Sequence, residues 1–326
     1  MEQQTLIKKI DVAYREYGTP VSIVIAAVII ANAMSLTQGS GTAGFLGGNL
    51  SGADAKLSAL EEAVLPAEGV KLPIVWGDLG AQLVEAGAID PVAFKKIYQS
   101  RGTFSAEYEK LLSGRTNGPL TITADNAGYL LNLLWAFGLA NKNPILEDKK
   151  EMMNPEYGEV GNFASTGGWT IAKGNAMDHY SKHALVTLTA EQQKLVDEVS
   201  RNIYRPCCGN SVHFPDCNHG MAMLGLLELM ASQGVSEKDM YKTALVVNSY
   251  WFPDTYLTIA MYMQSKGVSW GAVSPKEMLG ADYSSAAGFQ NISSQVNVPS
   301  GNGGGGGCGV DTGASAAPQQ QSGCGV

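Results

Sequence analysis

Metal-ligating side chains are concentrated in one short segment of this chain, residues 205–220, with the sequence RPCCGNSVHFPDCNHG. Such a segment constrains the fold, because soft sulfur and nitrogen donors bind a metal or do thiol chemistry only where the chain brings them together. With the residues just upstream, it holds all four histidines and three of the five cysteines. The candidate ligands are, in chain order, His179, His183, Cys207, Cys208, His213, Cys217 and His219.

The three cysteines of this segment are the strongest candidates. Adjacent cysteines rarely form a disulfide with each other, because the intervening peptide is strained. Cys207 and Cys208 can instead give two thiolates to one metal ion, or one of them can pair with Cys217. Cys217 and His219 lie in the first turn of a predicted helix, where the helix dipole stabilises a thiolate. We therefore expect copper or zinc with these four residues as first-choice ligands; the alternative is three small apolar side chains at a helix junction.

The remaining histidines are second-choice ligands. His179 and His183 have the i, i+4 spacing that places two imidazoles on one face of a helix and lets them chelate one ion. Asp178 or Asp197 could orient one of their ring nitrogens through a hydrogen bond. His213 lies between the cysteines and completes the set.

An uncharged apolar run near the N-terminus, residues 21–34, predicts a membrane-targeting segment. Three basic residues precede the run, and the next one is Lys56. Because positive charge stays on the cytoplasmic side, we expect residues 1–18 to be cytoplasmic and the bulk of the chain to be extracytoplasmic, at the cell membrane. The run is shorter than the ~20 residues of a full span. Residues 19–36 are therefore either a signal anchor or a signal peptide cleaved after Ala33, with a buried core helix as the third alternative.

Composition divides the rest of the chain into three parts. Residues 37–55 are rich in glycine and serine and predict a flexible linker. Residues 56–284 show helical periodicity and predict a mainly α, multi-helix globular domain that carries the Cys/His site at 179–219. Residues 285–326 are polar and glycine-rich, which predicts a disordered tail.

The tail contains the tetrapeptide Gly-Cys-Gly-Val twice, so that Cys308 and Cys324 are each flanked by glycines. A thiol on a mobile segment can reach a folded site or a partner. We expect these two cysteines to exchange metal or thiols with a protein partner; the alternative is a low-complexity tail with incidental thiols.

Periodicity and capping signals predict individual helices within the domain. Capping boxes begin helices after Thr189 and after Ser236, and Asp216 or Cys217 begins another. Residues 143–177 lack periodicity and predict a long ordered loop, and no convincing strand is predicted. The other predicted helices are Ala55–Val64, Trp76–Ala86, Pro91–Gln99, Phe104–Leu112, Ala124–Leu139 and Thr255–Lys266.

Charge argues against one class of partner. Charged residues make up only 16% of the chain, and the formal net charge is −8. Nucleic-acid binding requires clustered lysine and arginine to meet phosphates, and the chain has no basic stripe. We therefore expect no nucleic-acid partner.

Residues 195–244 resemble the small periplasmic thiol proteins of cytochrome c maturation, the CcmH-like family. In that family a helix leads into Arg-Cys-x-x-Cys, followed by a polar segment and by Asp-Ser-Asn at the start of a long helix. Here the corresponding stretches are RPCC (205–208), NS (210–211) and DCN (216–218). The resemblance implies a three-helix scaffold with a redox pair at Cys207 and Cys208. The compression of Cys-x-x-Cys to Cys-Cys and the added cysteine and histidines favour metal ligation instead.

Three functions are compatible with these patterns. The first is an extracytoplasmic, membrane-anchored protein that binds copper or zinc through the Cys/His cluster. The second is a thiol–disulfide oxidoreductase in which Cys208 or Cys217 is the nucleophile and the tail thiols resolve the mixed disulfide. The third is a surface protein in which a metal only holds helices together.

Overall fold

The computed structural model of the chain describes residues 52–162 and 171–296. This part of the chain is mainly helical, as the sequence predicted, and its strands are β1 (Val70–Gly77) and β2 (Asn117–Ile122). The α-helices are α1 (Gly52–Val64), α2 (Leu79–Ala86), α3 (Pro91–Gln99), α4 (Ala106–Ser113), α5 (Ala127–Ala140), α6 (Ala190–Ser200), α7 (Asn218–Ser232), α8 (Glu237–Trp251), α9 (Pro253–Ser265), α10 (Pro275–Met278), α11 (Ala281–Ser284) and α12 (Ala286–Ser293). Short 3₁₀ turns are Pro155–Tyr157, Val160–Asn162, Ala176–Asp178 and Trp270–Ala272.

Helices α5 and α7 form the centre of the domain. Both are apolar around almost their whole circumference, and nearly all of their side chains are buried, as expected of helices surrounded by other elements. They cross where Gly138 faces Gly225, and a Cβ at Gly138 would collide with the carbonyl oxygen of Met221. A Cβ at Gly225 would lie 2.7 Å from the carbonyl oxygen of Leu134. The two glycines therefore allow the backbones to touch, which brings the start of α7 close to the other elements of the site.

The prediction that the chain has no strands is wrong. β1 and β2 pair antiparallel, and Gly77 lies opposite Asn117. In β1, Leu72, Ile74 and Trp76 are buried and alternate with exposed neighbours, the period-2 pattern of a half-buried strand. Trp76 therefore belongs to a strand, and the helix predicted from Trp76 begins at Leu79. The alternation was hidden in the sequence because the exposed positions include apolar Val75.

Local capping signals gave the correct starts of several helices. The Thr189 side chain accepts a hydrogen bond from the backbone amide of Gln192, and the Gln192 side chain accepts one from the backbone amide of Thr189. Ser236 accepts from the backbone of Asp239 at the start of α8. Cys217 caps α7, which ends at Ser232 as predicted. Of these helices, α6 precedes the cysteine segment and α7 follows it.

Residues between α5 and α6 carry only 3₁₀ turns in the part that the structure describes, which agrees with the ordered loop predicted there. The folded domain extends past the boundary predicted at residue 284, because α12 follows it directly. The predicted anchor at 19–36, most of the predicted linker and the two tail cysteines lie outside the described residues. Among the described helices, none combines the length and the apolar character needed to span a bilayer.

Candidate functional site

The cysteine segment connects α6 to α7 and is held by backbone hydrogen bonds. The amide of Val212 donates to the carbonyl of Ile203 over 2.8 Å, which closes the segment into a narrow loop. The amide of Cys208 donates to the carbonyl of Arg205 over 3.0 Å, which closes a turn with Pro206 at its second position. The carbonyl of Cys208 in turn accepts from the amide of Ala286, the first residue of α12. The positions of the two adjacent cysteines are therefore fixed from both sides.

Three thiol groups meet inside this loop. The Sγ of Cys207 lies 3.4 Å from the Sγ of Cys208 and 3.7 Å from that of Cys217. All three sulfurs lie within 4.8 Å of one another, and no other group of three or more potential metal-ligating side chains is this close in the described residues. Cys208 and Cys217 are each 2% exposed, and Cys207 is partly exposed. The three are thiols, without a disulfide between them.

A buried arginine lies against the sulfurs. Arg205 is fully buried, and its Nε donates to the Sγ of Cys217 over 3.4 Å. Its Nη2 pairs with Asp216 Oδ1 at 2.7 Å, and Asn210 accepts from both terminal nitrogens. Burial disfavours the charged guanidinium, but the neighbouring Cys217, Cys208 and Asp216 outweigh it and raise the pKa of Arg205 above its usual value. A permanent positive charge therefore faces the thiols.

Gly220 makes room for this arginine. A Cβ at Gly220 would lie 2.9 Å from Cζ and 2.9 Å from Nη2 of Arg205, closer than real Cβ contacts allow. The guanidinium thus packs across the first turn of α7 where a side chain would otherwise stand. Arg205 and Gly220 were not among the predicted site residues, although an arginine two positions before the first cysteine was a visible signal.

Two N–H donors converge on the sulfur of Cys217. It is the N-cap residue of α7, and its Sγ accepts a hydrogen bond from the backbone amide of Gly220 over 3.3 Å. The second donor is Arg205 Nε. A helix N-terminus and a guanidinium both favour negative charge on an atom between them, and a thiolate is the form of cysteine that binds metals and attacks disulfides.

His219, a first-choice ligand in the sequence, lies outside the group of three sulfurs. Its ring packs against Phe252 and Trp251, with centroids 4.3 and 5.9 Å away. Burial, partly offset by Cys217, lowers the pKa of His219 to about 4, so the ring is neutral at pH 7. Its Nδ1 is buried and has no hydrogen-bond partner. His219 is thus a buried, neutral neighbour of Cys217.

His213 belongs to a different network. Its Nε2 lies 2.6 Å from Arg201 Nη2, and because a guanidinium only donates, Nε2 is the acceptor. Its Nδ1 lies 3.1 Å from the Oγ of Ser200, and Asp197 and Glu151 complete the surroundings. A cavity of about 320 Å³ lies beside it, lined by Pro144, Ile145, Asp148, Gln193, Lys194, Asp197 and His213. The structure therefore separates His213 from the thiols.

His179 and His183 do meet, but not on a helix as their spacing suggested. A 3₁₀ turn ends at Asp178, and Ser181 has a left-handed φ of 52° that interrupts any regular helix. Even so, His179 Nδ1 lies 3.0 Å from His183 Nε2. Asp178, expected to orient a ring nitrogen, instead accepts a hydrogen bond from the backbone of Asn175. The pair is not part of the thiol group.

The described residues thus place three cysteines together and the four histidines in other surroundings. Three thiols beside a buried positive charge can hold one soft metal ion or exchange disulfides. No family model matches the chain, and neither does any curated protein or solved structure.

Proposed function

We propose that this protein binds one soft transition-metal ion, copper or zinc, through the thiolates of Cys207, Cys208 and Cys217. The observation that carries the proposal is the convergence of the three sulfurs within 4.8 Å. With metal–sulfur bonds of about 2.3 Å, sulfurs that share one ion lie about 3.8–4.0 Å apart. The separations of 3.4 and 3.7 Å in this site need only small shifts to admit an ion.

The number of donors favours copper(I) over zinc. A structural zinc ion takes four protein ligands, whereas the group in the described residues offers three. Thiolates select copper(I) strongly, and a buried three-sulfur site leaves little access for a water ligand. Zinc would need a fourth donor, and the buried Nδ1 of His219, which has no hydrogen-bond partner, is the candidate that we propose.

The setting that we propose for this site is extracytoplasmic. The charge asymmetry around residues 21–34 supports a membrane anchor or a cleaved signal peptide, with the domain outside the cytoplasm. Cys308 and Cys324 then serve as thiols that pass the ion between the domain and a partner. Support for this role is the repeated Gly-Cys-Gly-Val sequence alone.

Metal analysis of the full chain, purified anaerobically with a reductant, tests the proposal. We expect about one equivalent of copper(I) or zinc, and we expect Cys217→Ser to lose it because Cys217 joins the sulfur group to α7. The double variant Cys308→Ser/Cys324→Ser is the control and should keep the ion in the domain. A metal-free wild-type chain, or equal metal content in Cys207→Ser, would refute the proposal.

The second candidate function is a thiol–disulfide oxidoreductase, the role that the resemblance to CcmH-like proteins implies. It is favoured by one observation, the two N–H donors to the Sγ of Cys217, which lies 3.7 Å from the Sγ of Cys207. The thiolate of Cys217 would attack a partner's disulfide, Cys207 would then displace the partner thiol, and the partner would leave reduced with two electrons. A reversible Cys207–Cys217 disulfide in a redox titration, together with no metal binding, would favour this function.

A further inference from the structure

Two of the histidines outside the thiol group, His179 and His183, face each other. The rings of His179 and His183 stack with their centroids 5.2 Å apart and an interplanar angle of 26°. Their facing nitrogens, Nδ1 of His179 and Nε2 of His183, are 3.0 Å apart. We propose that this pair chelates a divalent ion of tetragonal preference, copper(II) or nickel(II), independently of the three cysteines.

The backbone carbonyl of Lys173 prepares His179 for this role. Since a carbonyl only accepts, His179 Nε2, at 2.9 Å from that oxygen, is assigned the proton, and Nδ1 keeps its lone pair. Metal-binding histidines commonly donate their second ring N–H to a carbonyl in this way, which orients the ring and raises its basicity. Nδ1 of His179 is then the ring nitrogen that can bind an ion beside His183.

The ion would replace one proton between the rings. In the hydrogen-bonded pair, His183 Nε2–H donates to His179 Nδ1. On binding, His183 gives up the Nε2 proton to water and takes one from water at Nδ1. The ring therefore changes tautomer and stays neutral. Burial and the nearby His179 lower the pKa of His183. Metals bind the neutral form of the imidazole ring.

Both rings stand on a fixed framework. His179 is 8% exposed, and a Cβ at Gly87 would lie only 3.2 Å from its Cε1, so the ring is packed against that turn. The amide of His183 donates to the carbonyl of Ala140 over 2.9 Å, and its carbonyl accepts from Lys142 over 2.8 Å. Little side-chain entropy remains to be lost when the two nitrogens bind an ion.

The spacing of the nitrogens selects the geometry of the ion. With metal–nitrogen bonds of about 2.0–2.1 Å, two nitrogens 3.0 Å apart subtend an angle of about 95° at the metal. This is near the right angle between neighbouring ligands of a tetragonal ion and smaller than the tetrahedral angle of zinc. His183 is only half-buried, so water can supply the remaining ligands.

Ring-resolved NMR of the full chain with ¹⁵N-labelled histidine tests the proposal, with paramagnetic Ni²⁺ as the probe. We expect substoichiometric Ni²⁺ to broaden the ring signals of His179 and His183, while those of His213 and His219 persist. Because each ring reports separately, binding at the two histidines is distinguished from binding at the cysteines, whose neighbour His219 would then broaden. Unchanged signals from both rings at one equivalent of Ni²⁺, or equal broadening of all four, would overturn the proposal.

A variant tests the chelate itself. Removing one of two linked donors should weaken Ni²⁺ binding by roughly 100-fold, so His183→Gln is expected to abolish the broadening of His179 at one equivalent. Lys182→Gln, which changes an exposed side chain between the two histidines, is the control and should leave the broadening intact. If His183→Gln retains it, the histidines do not act as a chelating pair.

Discussion

The guanidinium of Arg205 is buried against the thiol of Cys217, with Nε donating to Sγ over 3.4 Å. The same arginine pairs with Asp216 at 2.7 Å and crosses the first turn of α7 at Gly220. One side chain thus joins the cysteine loop to the central helix and supplies the positive charge of the site. Removing this side chain should therefore lower the stability of the whole domain.

We expect Arg205→Met to destabilise the domain by about 3–5 kcal/mol, because it removes the positive charge that pairs with the largely buried carboxylate of Asp216. Denaturant unfolding at pH 7 measures the change. The control is Arg115→Met, which removes a surface arginine paired with Glu85 and should cost no more than about 1 kcal/mol. Equal effects of the two substitutions would mean that Arg205 does not hold the loop to α7.

Gly220→Ala tests the packing of the arginine from the other side. In most helices this substitution stabilises by up to about 1 kcal/mol, because alanine is the better helix former. Here the new Cβ would lie 2.9 Å from the guanidinium of Arg205, so we expect the free energy of unfolding to fall by about 1–3 kcal/mol instead. Gly209→Ala, in the same loop with open space around it, should be nearly neutral. Thermal unfolding of both variants shows whether Gly220→Ala stabilises or destabilises the domain.

Helix starts were predictable because their signals are local. Thr189 and Gln192 contact each other across one turn, and Cys217 caps α7 within three residues of its partner Gly220. The strands were missed because β1 pairs with β2, some forty residues further along the chain, and strand pairing of that range leaves no local signal.

In the candidate site, too, only the features that depend on neighbouring residues in the sequence were predictable. The three cysteines lie within eleven positions and converge through one loop, so their proximity followed from the sequence. The positions of the histidines depend on tertiary packing: His213 is turned toward Arg201, and His219 toward Phe252. Burial of a charged arginine also depends on packing, because it requires partners that the fold brings together.

The protonation of Glu228 should make the stability of the domain depend on pH. It is fully buried in α7 and accepts hydrogen bonds from the amides of Asn141 and Asn143, at 2.5 and 2.8 Å. Burial, partly offset by these hydrogen bonds, raises the pKa of Glu228 to about 8 from an ordinary value of 4.5. Because the folded state holds this proton more tightly than the unfolded state, Glu228 should lower stability progressively as pH rises from about 4.5 to about 8.

Glu228→Gln cannot titrate and should lack this contribution. We expect the melting temperature of the wild type to fall relative to that of the variant between pH 5 and pH 8, whatever the absolute difference at pH 5. Thermal unfolding at several pH values provides the comparison. Parallel curves for the two proteins would show that Glu228 keeps the same protonation state in the folded and unfolded chains.

The close contact of α5 and α7 at Gly138 and Gly225 can be tested by substitution. Gly138→Ala would press a methyl group into the carbonyl of Met221, so α5 and α7 would have to separate. We expect the free energy of unfolding to fall by about 1–3 kcal/mol. The start of α7 and its Cys217 cap should be displaced. The matched control is Gly128→Ala in the same helix, where the Cβ meets nothing within 4 Å and helix propensity should add up to about 1 kcal/mol. Denaturant unfolding of the two variants should therefore give changes of opposite sign, and stabilisation by both would mean that the helices do not touch at Gly138.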